Sequence, residues 1–149
     1  LSAVAAEAAP GRVRFLGALP HARIPETFNA ACGFALVSRR ESFGMVFPEA
    51  LFAGAPCIIP RGWGIDGYLE DGAVTHAVDP ADGDALAAAL GRLAREQAAF
   101  KTRLAALAAS GGLDIFRREA IGASYRDALF GAAGSGAART LAERIAAEY

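Results

Sequence analysis

The chain has 149 residues, 54% of them apolar and 21% charged, with a formal net charge of −1. This is the length of one globular domain, able to bury roughly 68–70% of its unfolded surface without help from a disulfide or a metal. The near-neutral charge excludes a general electrostatic binder of nucleic acid or anionic lipid, and no apolar run reaches the roughly 18 residues of a membrane span.

The chain opens on Leu1, without a signal-peptide layout, and its first residues read like the tail of a helix. It is expected to be a piece of a longer, cytoplasmic protein. Val13-Arg14-Phe15-Leu16 predicts a short strand ending at Gly17. Ala22 to Cys32 predicts a helix with Ile24, Phe28 and Ala31 on one face. Phe34-Ala35-Leu36-Val37 is a continuous apolar run, as in a strand covered on both faces. Ser38 to Phe43 is a loop, followed by a short helix that stops at Gly54. Cys57-Ile58-Ile59 predicts a buried strand closed by Pro60, Gly62 to Gly72 a glycine-rich loop with a helical turn, and Thr75 to Val78 a last strand.

After Asp79-Pro80 the pattern turns helical. Leu86, Leu90, Leu93, Phe100, Leu104 and Leu107 suit one face of one long helix or of two consecutive ones, broken at Gly111-Gly112. Ile115 to Phe130 predicts another helix, residues 131–136 a flexible glycine-rich linker, and Ala137 to Tyr149 a final amphipathic helix. Residues 1–130 are thus expected to form the domain and 131–149 its linker and terminal helix. Strands alternating with helices predict an α/β fold with a parallel, doubly wound, Rossmann-like sheet. Ligands of such sheets sit at the carboxyl ends of the strands. Gly17–His21, Ser38–Met45 and Pro60–Gly67 fall at those ends and are expected to converge on one cleft.

The chemistry concentrates in one segment. Phe43, Val46, Phe47, Ala50 and Leu51 form an apolar helical stripe. Pro48 lacks an N–H and is tolerated only in a first turn, so the helix begins no earlier than about Met45 or Val46. Phe43, Gly44 and Met45 then present unpaired amides, which with the helix dipole suit an anion. Gly44 lets the backbone approach a phosphate closely. Glu49 lies off the apolar stripe and leans back toward the amino end, where its carboxylate suits a ribose diol. Glu41 precedes the helix on the ligand side and suits sugar hydroxyls or developing positive charge. Two glutamates near a helix start are, taken singly, more often solvated surface residues; the spacing within the whole segment is what argues for a site.

The stretch Ser38-Arg39-Arg40-Glu41-Ser42-Phe43-Gly44-Met45-Val46-Phe47-Pro48-Glu49-Ala50-Leu51-Phe52-Ala53-Gly54-Ala55-Pro56 resembles the Glu-x7-Glu signature of GT-B, family 4-type retaining glycosyltransferases. More loosely, the resemblance runs from Val13 to about Tyr125. It implies that Glu41 contacts the transferred sugar and acts in catalysis. It implies further that Glu49 binds the ribose, that the amides around Phe43, Gly44 and Met45 lie at the diphosphate, and that Ser42 and Val46 also belong to the nucleotide-sugar site. Leu19 would lie against the base. The donor would be a nucleotide-diphosphate sugar, with no metal or other cofactor. The sequence departs from the family at Gly67, where a glutamate is frequent, and at Thr75, where glycine is frequent. The family's donor domain also begins earlier, with an Arg and a Lys that grip the diphosphate, and an amino-terminal acceptor domain precedes it. The resemblance therefore implies a donor-binding portion that does not turn over alone. Its partner would be that acceptor domain, through which any peripheral membrane contact would run. The alternatives are a related epimerase or phosphorylase, and a non-catalytic nucleotide-sugar-binding module.

Arg39, Arg40 and Arg61 either face the phosphates or are ordinary surface arginines. His21 reads as incidental and His76 as structural, and Trp63 suits stacking on a ligand or capping of the core. Ser38 lacks a nucleophile elbow. Cys32 and Cys57 read as small buried hydrophobes, and no metal-ligand spacing exists. The helix from Ala137 is either a contact for the acceptor domain or a frayed tail.

Overall fold

A parallel sheet in the order β1–β2–β3 organises the computed structural model, which describes residues 12–128. The elements are helix α1 (Ile24–Ala30), entered through a 3-10 turn, then β1 (Phe34–Ala35), α2 (Val46–Phe52), β2 (Cys57–Pro60) and β3 (Thr75–Val78). Helices α3 (Gly83–Arg95), α4 (Gln97–Ala109) and α5 (Arg118–Arg126) follow. Cys57 pairs with Phe34 on one side and Thr75 on the other, so β2 is central. All four of its residues are buried, as a strand flanked by partners and covered on both faces requires.

The two-residue period of a strand divides the core. Cys57, Ile59 and Ala77 point into a cluster with Phe47, Ala50 and Leu51 of α2, joined by Leu104, Leu113 and Phe116. Ile58 and Val78 point to the opposite cluster with Ala89 and Leu93 of α3, and Phe100. Helices therefore cover both faces, which is the doubly wound α/β arrangement expected from the alternation of elements.

Helix α2 begins at Val46, where the position of Pro48 requires, and its stripe is deeply buried, with Phe47 and Ala50 fully inaccessible. It ends in a Schellman motif: Ala55 N–H donates to Ala50 O at 2.9 Å and Gly54 N–H to Leu51 O at 3.0 Å. That sharp stop returns the chain directly into β2. Asp82 caps α3, its carboxylate accepting from Ala85 N–H at 2.8 Å. The helical stretch then divides at Glu96, whose backbone (φ −102°, ψ 17°) leaves the helical range.

Several expectations are corrected. Val13–Leu16 is not a strand; it pairs with none of the three described strands, and Val13, Phe15 and Leu16 are about half exposed. Only Phe34 and Ala35 form ladder in the run to Val37, and Ala35 is exposed; among the described strands β1 has a neighbour on one side alone. Leu90 is 45% exposed; Leu86, Ala89 and Leu93 set the inner face of α3, and the small Ala89 takes the central place against the sheet. The last described helix starts at Arg118 rather than Ile115, since the extended backbone at Arg117 (φ −76°, ψ 147°) follows a 3-10 turn that buries Phe116. The linker and terminal helix expected over 131–149 lie outside the described residues.

Two leucines from the same predicted stripe should respond differently. Leu104→Ala is expected to cost about 2–5 kcal/mol of unfolding free energy, as for a filled core site. Leu90→Ala should cost less than about 1 kcal/mol, as for a surface site. Urea titrations of both variants check this contrast.

Candidate functional site

The site is built where β1 hands over to α2. Phe47 N–H donates to Gly44 O at 2.9 Å and Glu49 N–H to Met45 O at 3.3 Å, closing the loop onto the helix. Among the described residues the N–H groups of Phe43, Gly44, Met45 and Val46 have no acceptor. Four successive amides at one turn thus stand free, at the end of the helix where the dipole is positive. Gly44 makes this turn with φ +72°, and a Cβ there would lie 2.5 Å from the Phe47 ring. The glycine is therefore required twice, by its backbone and by the ring beneath it.

The two glutamates flank these amides. Glu41 is half-buried, and its Oε1 accepts from Ser42 N–H at 3.1 Å. Glu49 is exposed in the first turn of α2, and Met45 is 58% exposed beside it. The loop after β2 closes on the same place. A Cβ on Gly64 would stand 3.0 Å from Phe43 O and 3.4 Å from Glu41 Cγ. Two of the three loops expected to converge therefore do so. Gly17–His21 opens elsewhere: Leu19 lines a depression of about 560 Å3 with Arg14, Leu16, Arg23, Glu26 and Thr27, and no residue of 38–49 lines it.

Arg39, Arg61, Trp63 and Asp79 line a depression of about 300 Å3, to which no residue of 43–46 contributes. Its walls come from the chain just beyond β1, β2 and β3. Arg61 is bound to the scaffold, its guanidinium donating to Ala77 O and, at 3.4 Å, to Asp71. Arg40 is exposed. Partial burial would raise the Asp71 pKa, but the Ala77 N–H bond at 2.9 Å, His76 and Arg61 outweigh it and hold the carboxyl below its usual value. Neither Asp71 nor this clasp was foreseen; a lone aspartate before a glycine carries no motif.

A separate apolar groove of about 680 Å3 is lined by Phe43, Met45, Tyr68, Ile115, Ile121 and Tyr125 among others. Cys57 is buried, which pushes its thiol up to about 12, and it is inert in this setting. Cys32 is half-buried, not fully buried as expected. Among the described residues no cluster of histidine, cysteine, aspartate and glutamate could hold a metal ion, and no helix is long and apolar enough to cross a membrane.

A Rossmann-like half with free amides at a strand-to-helix turn is the architecture of a GT-B glycosyltransferase-like domain, and residues 1–96 match the family model described as glycosyl transferases group 1. The chain belongs to that family. It is similar to the D-inositol 3-phosphate glycosyltransferase of Corynebacterium urealyticum, with 37% identity over 81 residues. The match covers 54% of this chain and 19% of that relative, so the chain corresponds to a small part of the curated protein's length.

Two variants test the local physics. Gly44→Ala is expected to destabilise the fold by about 2–4 kcal/mol, the combined cost of a left-handed alanine and of displacing the Phe47 ring, measurable by thermal or urea unfolding. Asp71 has a depressed pKa in the fold, so its contribution is present above the ordinary carboxylate value of about 3.9 and is lost as pH falls through the folded value. Asp71→Asn should therefore be less stable than the parent at pH 7, and the difference should shrink as pH falls below the ordinary carboxylate value in a series of melts.

Proposed function

We propose that this chain is the donor-binding part of a retaining glycosyltransferase that moves a sugar from a nucleotide-diphosphate sugar to an acceptor. The run of free amides at Phe43–Val46, between Glu41 and Glu49, carries the proposal. In this reading the diphosphate accepts hydrogen bonds from those amides. As the bond between the anomeric carbon and the phosphate oxygen breaks, the electron pair leaves with the diphosphate. Fixed donors that need no reorganisation then stabilise the growing charge. The half-buried Glu41 faces the transferred sugar and offsets positive charge at its anomeric carbon. Glu49, exposed and one turn into the helix, accepts from the ribose hydroxyls. Ser42 belongs to the same loop. Arg39, three residues before Ser42 in the chain, adds positive potential, whereas the engagement of Arg61 with Asp71 and Ala77 favours a scaffold role for that residue.

The departure at Gly67 reduces the side-chain contacts that the β2–β3 loop can offer a sugar, whereas Thr75 is buried at the start of β3. Binding of the nucleotide and diphosphate does not depend on those contacts. An acceptor-binding domain elsewhere in the full protein completes the reaction, and the isolated chain is expected not to transfer sugar. D-inositol 3-phosphate is the acceptor to assay first in a full-length protein, since the relative is named for it.

Calorimetric titration of the chain with UDP, GDP and ADP is the direct test, and saturable binding of one of them is expected. Absence of binding by all three at millimolar concentration sinks the proposal. Glu49→Ala should weaken the nucleotide that binds by about tenfold or more, the worth of a charge-assisted hydrogen bond, while leaving the affinity for inorganic diphosphate unchanged. In a full-length protein Glu41→Gln should lower kcat by at least about a hundredfold with little change in nucleotide affinity.

A further inference from the structure

Three aromatic rings from distant parts of the chain meet at the outer wall of the amide loop. Phe43 stands edge-on to Tyr68, with centroids 5.5 Å apart and planes at 89°. Phe116 closes the triangle, 6.4 Å from Phe43 and 6.0 Å from Tyr68. Phe116 is 6% exposed and packs in the core cluster that also holds Phe47 and Leu51. Tyr68 is 55% exposed but is fixed at its base: its N–H donates to Ile65 O at 3.1 Å, and Ile65 is buried.

Phe43 has open space on one side, since it and Tyr68 both line the apolar groove of about 680 Å3. A half-buried ring beside a cavity has somewhere to go, and its backbone would follow it. The edge-on contact opposes this, because the positive rim of one ring meets the negative face of the other.

We propose that Tyr68 is a positioning residue for the anion-binding loop, its ring holding Phe43 so that the amides of 43–46 stay convergent, with Phe116 anchoring the pair to the core. This rests on the donor-site proposal for its functional consequence, though not for its structural one. It assigns a role to the loop after β2 that does not depend on direct sugar contacts. It also ties the segment around Phe116, which lies beyond the residues matched by the family model, to the loop at residues 43–46.

Residue-resolved hydrogen exchange by NMR, combined with UDP, GDP and ADP titration, tests the role in the parent chain, Tyr68→Ala and Tyr68→Phe. In Tyr68→Ala the Phe47 and Glu49 amides, which close the loop on Gly44 and Met45, should exchange about tenfold faster, the scale of one lost aromatic pair. The Cys57 amide, which donates to Val74 O in the sheet, should be unchanged. Affinity for the nucleotide that binds should fall by a similar factor, and Tyr68→Phe should behave as the parent in both measurements. Unchanged exchange at Phe47 and Glu49, equal acceleration at Cys57, or a Tyr68→Phe variant that behaves like Tyr68→Ala would each overturn the role. Parent-like nucleotide affinity in Tyr68→Ala would do the same. If the parent chain binds no nucleotide, the donor-site proposal fails on its own, and the exchange contrast still decides whether Tyr68 braces the loop.

Discussion

The packing of the Phe47 ring beneath Gly44 is the contact on which the rest of the site depends. Phe47 is wholly buried against β2 and the facing helices, so its position is set by the core. Its amide holds Gly44 O, and its ring occupies the space that any side chain at residue 44 would need. The loop thereby passes through a left-handed turn at Gly44, and among the described residues the amides of 43–46 have no acceptor. A core contact and the run of free amides are made by the same residues, and neither can be altered alone.

That coupling explains the economy of the surrounding structure. Helix α2 has only seven residues, yet it is bound tightly because Ala50 and Leu51 extend the burial begun by Phe47 and the Schellman ending leads at once into β2. Short helices gain little from their own hydrogen bonds, and their stability comes from the packed face. Beyond β2, Arg61 and Asp71 bind the strand end to β3, so that the loop carrying Gly64 is presented against Glu41 and Phe43. The loops of the candidate site rest on strand ends that are themselves tied.

Two unlike depressions open near the strand ends. The one at Arg39 and Trp63 is smaller and carries charged side chains; the one at Phe43, Tyr68 and Tyr125 is apolar and roomier. The free amides of 43–46 suit a ligand with a charged centre. Membership of the group 1 glycosyl transferases points to what such a ligand would be, while the reaction's stereochemistry, donor and acceptor stay with the proposal.

The amino-acid order alone determined the parts that follow from local rules. Pro48 in a first turn located the start of α2, the apolar stripe located its buried face, and Cys57 to Ile59 declared a strand covered on both sides. The helix start that Pro48 fixes marked Gly44 and Glu49 as candidates, whereas the role of Glu41, in the loop ahead of the helix, came from the resemblance of the whole segment. Tertiary structure decided everything that required a neighbour. Val13–Leu16 has strand-like composition but no partner among the described strands, and β-structure is a property of pairs. Leu90 fits the helical period yet faces outward, because Ala89 allows the closer approach to the sheet. The clasp of Asp71 with Arg61 and the meeting of Phe43, Tyr68 and Phe116 join residues ten to seventy-odd positions apart. No local pattern encodes such contacts, since they come into being only when separate elements are packed on one core.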